Sequence, residues 1–198
     1  MTLPDVPLFP LHRGLFPDGL LSLTIFEVRY LHLIKRCQRE GIRFGVVPLA
    51  SGNEVQKAGE LEVLHPWGCL VELLNIAEPG PSVLTVQCRG TQRFSLGRHT
   101  RGAYGLWSGD ITVLPDDRPT PIPDDLQHLA DRLGAWIANA QQRGLADQLP
   151  MTPPYRLDEA GWVANRWGDL LPLQGDHTAR LLAEHDCEKR LRQLLDWL

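Results

Sequence analysis

The stretch that decides the fold opens the chain: Pro7-Leu8-Phe9-Pro10-Leu11, then Leu15-Phe16-Pro17-Asp18-Gly19, then Ile25-Phe26-Glu27-Val28-Arg29-Tyr30. Its prolines fix the backbone φ angle, and Pro17-Asp18-Gly19 is typical of a tight turn. The stretch is rich in residues that set shape and poor in groups that catalyse. It predicts a strand and a turn that lead, through a second short strand, into a helix.

Short strand-like segments continue from this stretch as far as Leu114. Leu21, Leu23 and Ile25 alternate with polar residues, which is the period-2 pattern of a half-buried strand. Gly90-Thr91-Gln92 separates two such segments and predicts a short hairpin. Many short strands with glycine breaks favour a small, partly closed barrel. The predicted strands are Pro7–Phe9, Leu21–Ile25, Phe44–Leu49, Cys69–Ile76, Val83–Arg89, Arg93–Arg98 and Ser108–Leu114.

One helix is predicted to interrupt these strands, with Gly41 at its C-terminal cap. Its expected apolar face consists of Phe26, Tyr30, Leu33, Ile34 and Cys37. Beyond the proline-rich connector Leu114–Pro123 the chain reads as three or four helices, the first with Asp124 or Asp125 as N-cap and Gly144 beyond its end. We therefore predict an α+β protein with a β-rich lobe, residues 1–120, and a small helical bundle, residues 121–198.

Composition narrows the class of protein. The net charge of −4 argues against nucleic-acid binding driven by bulk electrostatics. The four cysteines are scattered, without the spacing of a zinc ribbon, and are expected to be small buried hydrophobes. No signal peptide and no apolar run long enough for a membrane span is visible. We therefore expect a cytoplasmic protein with no membrane partner.

Motifs of catalysis are missing from the sequence. There is no G-x-S-x-G nucleophile elbow, no H-E-x-x-H zinc motif and no glycine-rich phosphate loop. The nearest Cys and His pairs, Cys69 with His65 and Cys187 with His185, lie in apolar contexts where burial would suppress the thiolate. We expect no catalytic residues, no metal site and no cofactor, and the sequence singles out no binding residues.

Three surface features leave alternatives open. Arg89, Arg93, Arg98, His99 and Arg101 lie near Tyr104 and Trp107, a mixture that can hold RNA through phosphate contacts and stacking. The carboxylate pairs Asp116-Asp117 and Asp124-Asp125 are interpreted as solvated or capping groups. Trp67, at a loop tip or strand start, is either an exposed anchor for a partner or, as we expect, a half-buried structural residue. The four tryptophans on predicted helices, Trp136, Trp162, Trp167 and Trp197, are predicted to belong mostly to the bundle core.

The whole chain resembles the Lon-protease N-terminal domain family. Besides the opening stretch, the resemblance is carried in order by Phe44-Gly45-Val46-Val47, Gly68-Cys69-Leu70-Val71-Glu72, Val86-Gln87-Cys88-Arg89-Gly90-Thr91-Gln92-Arg93-Phe94, and Leu181-Leu182-Ala183-Glu184 with Arg190-Leu191. It implies a PUA-like β pseudobarrel with one inserted helix, followed by a helical lobe. In it Gly90 is expected to adopt a backbone conformation that other residues resist.

The resemblance also implies binding rather than chemistry. Full-length Lon carries an ATPase and a protease domain behind this module, and this sequence, which ends at Leu198, is expected to lack both. The leading hypothesis is a non-enzymatic module that recognises unfolded or exposed protein segments in an apolar groove between the lobes, acting with a cellular protease. The alternatives are an RNA-binding barrel and a small-ligand site in the cleft between the lobes.

Overall fold

The computed structural model describes residues 1–55 and 61–198. Its strands are β1 (Thr2–Leu11), β2 (Leu20–Ile25), β3 (Phe44–Ser51), β4 (Val63–Leu64), β5 (Trp67–Gly80), β6 (Val83–Arg101) and β7 (Trp107–Val113). Its α-helices are α1 (Val28–Glu40), α2 (Gln127–Gln142), α3 (Ala160–Leu170), α4 (Gly175–Ala183) and α5 (Cys187–Gln193). Four short 3₁₀ turns are Ala103–Gly105, Asp124–Leu126, Ala146–Gln148 and Leu194–Asp196.

The sheet closes on itself. Its strands follow the order β1-β7-β6-β5-β3-β4, and β1 also pairs in parallel with β3, so that β1, β7, β6, β5 and β3 form a ring. Strand β2 lies outside this ring and pairs with the first part of β6. The predicted α+β class is confirmed, and the ring with one inserted helix is consistent with a PUA-like pseudobarrel.

The predicted hairpin at Gly90-Thr91-Gln92 is wrong. A single strand, β6, runs through these residues, and the chain reverses instead at Pro81-Ser82 between β5 and β6. Gly90 has no positive φ, so it is not the conformational exception we expected. A Cβ atom there would lie 2.1 Å from the carbonyl oxygen of Phe16, and this close approach of two backbones is what requires glycine.

The inserted helix forms largely as predicted. Tyr30, Leu33, Ile34 and Cys37 are buried, and Gly41 ends the helix with a φ of 65° while donating its N–H to the carbonyl of Cys37. Phe26 is an exception, because it precedes the helix and is 56% exposed. Apolar residues at helical spacing indicate which face of a helix is buried, but they do not indicate where the helix begins, and α1 begins only at Val28.

The N-cap predicted for the first helix of the second lobe is also wrong. Asp124 and Asp125 form a 3₁₀ turn before α2, and Leu126 holds the N-cap position without a side-chain bond. Asp125 instead pairs with Arg192. Gly144 does lie beyond the end of α2, with a φ of 68°. Of the tryptophans predicted for the bundle core, Trp136 is exposed and the other three are buried or half-buried against that core.

The opening stretch joins the two lobes. Gly19 donates its N–H to the carbonyl of Phe16 at 3.0 Å, and Asp18 has a φ of 66°, which confirms the tight turn. This turn is bonded on one side to Gly90 of β6, through Asp18 N–H at 2.8 Å. On the other side Phe16 is fully buried in the core of the helical lobe, and its N–H donates to Asp169 Oδ1 at 3.1 Å.

Candidate functional site

One edge of strand β5 is only partly used by the sheet. Strand β6 pairs with β5 from Trp67 to Gly80, but β3 pairs on the other side only with Cys69, Leu70 and Val71. Within the described ranges, no strand covers this outer edge from Glu72 to Gly80. The chain of β3 leaves the edge because the turn after α1, at Gly41 to Arg43, enters the sheet only at Phe44. An unpaired edge presents backbone donors and acceptors to any extended chain that reaches it.

A cavity of about 670 Å³ lies beside this edge, and we call it the edge groove. Its walls are the C-terminal end of α1 and the first residues of the unpaired β5 edge. They consist of Cys37, Gln38, Gly41, Ile42, Arg43, Glu72, Leu73, Leu74, Asn75 and Ile76. Backbone edge and apolar side chains thus occur together, which is the combination that recognises extended peptides.

Leu74 is the most exposed apolar side chain of the edge groove. The register of β5 against β6 shifts between Leu73 and Asn75, so Leu74 is the extra residue of a β-bulge. Leu73 stays half-buried against the barrel core, while Leu74 is 47% exposed. A bulge redirects a side chain without ending the strand, and here it places an isolated leucine at the rim of a cavity.

A second cavity, the inter-lobe cleft, has a volume of about 520 Å³ and lies where the turn of the opening stretch, β6, the proline-rich connector and α3 meet. Arg43 and Glu72 line it as well as the edge groove, so the two cavities adjoin at these residues. The cleft is polar rather than apolar, contrary to the groove we expected between the lobes. Its other lining residues are Pro17, Asp18, Arg89, Gly90, Thr91, Gln92, Arg93, Pro115, Asp116, Asp117, Arg156, Glu159, Trp162 and Asn165.

A buried ion cluster closes one side of this cleft. Asp117 of the connector accepts from Arg93 of β6 at 2.7 Å and from Arg190 of α5 at 2.6 Å. Burial alone would raise the pKa of the Asp117 carboxyl, but Arg190 and Arg93 outweigh it and hold that pKa below its ordinary value. Arg93 also donates to the carbonyls of Leu182 and Glu184 at the end of α4. The cluster therefore ties barrel, connector and helices together.

Most other charges in the cleft are also paired. Arg89 is bonded to Glu72, and Arg156 is bonded to Asp18. Arg43 differs from them, since its contact in the described ranges is a bond of 3.5 Å to the side-chain oxygen of Gln92 and it has no carboxylate partner there.

An amide whose oxygen atom is unpaired also lines the inter-lobe cleft. Asn165 of α3 is 4% exposed, and its Oδ1 atom has no hydrogen-bond partner among the described residues. A buried polar atom without a partner is costly, so a donor that entered the cleft would relieve it.

The basic stretch that suggested RNA binding is largely neutralised. Arg89, Arg93 and Arg101 are paired with Glu72, Asp117 and Glu62. Arg98 lies 3.4 Å from Asp110, and Trp107 donates its indole N–H to Glu62. Arginines already bonded to carboxylates have little capacity left for phosphates, so the geometry weighs against the RNA alternative.

Among the described residues, the cysteines and histidines do not come together as a catalytic or metal-binding group. All four cysteines are buried, and burial raises the pKa of Cys37 to about 11 and that of Cys88 to about 12. In the part of the chain that the structure describes, no three His, Cys, Asp or Glu side chains are placed to hold a metal ion. His65 lies 3.2 Å from Asp176, and Trp67 is half-buried against the helical core, as the structural interpretation predicted.

Sequence reasoning missed three of the residues that matter here. The interpretation of Asp117 as a solvated or capping group is wrong, because this residue is the centre of the ion cluster. The sequence analysis assigns no role to Arg43 or Leu74. The adjacent leucines at positions 73 and 74, which break the alternation of the strand, were the available signal for Leu74.

No helix in the described ranges is long and apolar enough to cross a membrane.

Comparisons with known proteins converge on one family. The family model described as the ATP-dependent protease La (LON) substrate-binding domain matches residues 5–198. A crystal structure of a Lon N-terminal domain protein from Xanthomonas campestris is 31% identical, covers 99% of both chains and has a TM-score of 0.78. The N-terminal domain of a Lon protease from the Mycobacterium avium complex is 18% identical, covers 98% of this chain and 97% of that one, and has a TM-score of 0.64; it supports the fold alone.

Proposed function

The chain belongs to the family of LON substrate-binding domains, and on this premise we propose that it is a non-enzymatic module that binds unfolded polypeptide segments at the edge groove. The observation that carries the proposal is the unpaired outer edge of β5 beside a cavity whose wall combines polar groups with the apolar side chains of Ile42, Leu74 and Ile76. We further propose that the protein acts in the cytoplasm and presents these segments to a cellular protease.

The proposed mode of binding is strand addition. An extended segment would form backbone hydrogen bonds with β5 beyond Glu72, and every second side chain would point into the cavity beside Leu74 and Ile42. Backbone hydrogen bonds form with any sequence, whereas the apolar side chains in the wall, Ile42, Leu74 and Ile76, favour hydrophobic residues of the bound segment. Such a site suits many unfolded clients and excludes folded proteins, whose strands are already paired.

The binding affinity expected from this geometry is modest. Burial of a fully exposed leucine contributes about 1.5–3 kcal/mol, and Leu74 is already about half-buried, so its share is about 1 kcal/mol. Several such contacts and backbone bonds, reduced by the cost of association, correspond to a micromolar dissociation constant, or about −8 kcal/mol.

A pair of matched leucine variants tests the proposal. Leu74→Lys places a charge at the groove, whereas Leu195→Lys alters a leucine of nearly equal exposure, 45%, in the 3₁₀ turn of the helical lobe. The probe is fluorescein-labelled, reduced and carboxymethylated α-lactalbumin, and its anisotropy is measured during titration with the protein. We expect saturable binding that Leu74→Lys weakens at least about five-fold and Leu195→Lys leaves unchanged, because about 1 kcal/mol is roughly a five-fold change.

Two results would count against the proposal. Absence of saturable binding to the wild type would exclude polypeptide capture. Equal weakening by both variants would show that the binding is not located at the edge groove.

A second candidate function, the binding of a small molecule in the inter-lobe cleft, is favoured by the unpaired Oδ1 atom of Asn165. The volume of the inter-lobe cleft lies in the range of small-molecule sites. A thermal-shift screen of polar metabolites would detect such a ligand, because a ligand of the native state raises the melting temperature. Asn165→Ala should abolish any shift that depends on this amide.

A further inference from the structure

The start of β3 forms a barrier at one end of the edge groove. Phe44 is paired with Val71, so the position next to β5 is already occupied at that point. A segment that pairs with β5 beyond Glu72 meets this barrier and has to turn away or end there. The inter-lobe cleft opens at the same place, because Arg43 and Glu72 line both cavities.

Arg43 stands at this end with its charge uncompensated by a carboxylate in the described ranges. Every other arginine that lines the two cavities has a carboxylate partner: Arg89 has Glu72, Arg93 has Asp117, and Arg156 has Asp18. Glu72 is neutralised by two bonds from Arg89. The end of the groove therefore presents one half-buried guanidinium that remains available to an anion.

The direction of the added strand decides which chain end reaches Arg43. An antiparallel segment runs in the direction of β3 and brings its C-terminus to Arg43, whereas a parallel segment brings its N-terminal ammonium to a like charge. Guanidinium and carboxylate form charge-assisted hydrogen bonds. We propose that the edge groove takes the free C-terminal end of an unfolded polypeptide and that Arg43 binds its terminal carboxylate.

This inference rests on the proposed function and narrows the substrate from any unfolded segment to chain ends. The test uses a fluorescein-labelled peptide about eight residues long, in which valine and threonine alternate to favour an extended strand. It is prepared with a C-terminal carboxylate and, separately, with a C-terminal amide. The dissociation constants of both forms are measured for the wild type, for Arg43→Gln and for Arg39→Gln, a control that removes an exposed arginine of α1 outside both cavities.

We expect the amide to bind the wild type about ten-fold more weakly than the acid, which is a loss of about 1.4 kcal/mol. Arg43→Gln should weaken the acid by the same factor and leave the amide unchanged, and Arg39→Gln should change neither. Equal binding of acid and amide that remains sensitive to Leu74→Lys would overturn the inference and leave the proposed function standing. If neither form binds, the inference is overturned; the proposed function falls with it only if unfolded α-lactalbumin also shows no saturable binding.

A purely structural role for Arg43 gives a different pattern. Arg43→Gln would then weaken acid and amide alike, which also refutes the inference. If Arg43→Gln does not fold, the comparison of acid with amide on the wild-type protein decides the matter by itself.

Discussion

Removal of the Asp117 carboxylate is expected to destabilise the protein through the two guanidiniums that it leaves behind. Asp117 is 19% exposed at its side chain, whereas those of Arg93 and Arg190 are 3% and 0% exposed. In Asp117→Ala, Arg93 keeps the carbonyls of Leu182 and Glu184 as acceptors. Arg190 keeps only a contact of 3.4 Å to the Cys187 sulfur in the described ranges. The larger part of the loss therefore comes from Arg190.

The expected size of the effect follows from this difference. Loss of one partner of a buried ion pair costs about 3–5 kcal/mol. Because one of the two arginines retains good acceptors, we expect the lower end, about 3 kcal/mol. With a urea m-value of about 2 kcal/mol per molar, the unfolding midpoint should fall by about 1.5 M.

Urea unfolding at neutral pH measures this change, with Asp116→Ala as control. Asp116 is exposed, and its described contact is a bond from Gln92 at 3.2 Å, so its removal should cost no more than about 0.5 kcal/mol. Equal midpoints for the two variants would refute the view that the ion cluster holds the lobes together.

The pH dependence of this difference provides a second readout. Burial by itself would raise the pKa of Asp117, but the two arginines keep this pKa low in the folded state. Because the pKa of Asp117 is lower in the folded state than in the unfolded state, its stabilising effect is fully present above the unfolded pKa of about 4. It is lost as the pH falls through the folded pKa. The difference in unfolding free energy between wild type and Asp117→Ala should therefore be constant above about pH 4 and shrink below it.

The remaining predictions concern the contact between the lobes and the RNA alternative. Gly90→Ala should lower the free energy of unfolding by about 3 kcal/mol, because its Cβ would meet the Phe16 carbonyl oxygen at 2.1 Å, whereas Gly80→Ala, with nothing within 4 Å, should have little effect in the same urea assay. Burial raises the pKa of Asp169 to about 7, so between about pH 4 and pH 7 the folded state binds more protons than the unfolded state. The free energy of unfolding should therefore fall as the pH rises through this range, by up to about 1.4 kcal/mol per pH unit. Asp169→Asn should flatten that slope, and an unchanged slope would contradict the assignment. A gel-shift titration at low salt should show no binding of single-stranded RNA, since the basic stretch is paired with carboxylates, and a salt-sensitive shift would revive that alternative.

The features that could be predicted from sequence are those that depend on near neighbours in the chain. The buried stripe of α1 and its cap at Gly41 follow from helical periodicity and from the left-handed conformation that glycine tolerates. The turn at Pro17-Asp18-Gly19 follows from the φ angle of proline. The α+β class and the order of strands before helices followed from the same local patterns, and the family from motifs in the right order.

What the tertiary structure alone decided is the arrangement of the candidate site. Asp117 is separated by 24 residues from Arg93 and by 73 from Arg190, so only closure of the barrel and docking of α5 bring these charges together. The sequence predicts a turn at Gly90, whereas in the structure glycine is required because the backbone of Phe16 lies against it. The open edge beside Leu74 exists because β3 begins only at Phe44, opposite Val71, and this depends on the register between the two strands. Periodicity tells which residues are buried, but pairing between distant segments determines which edges and charges remain free to bind.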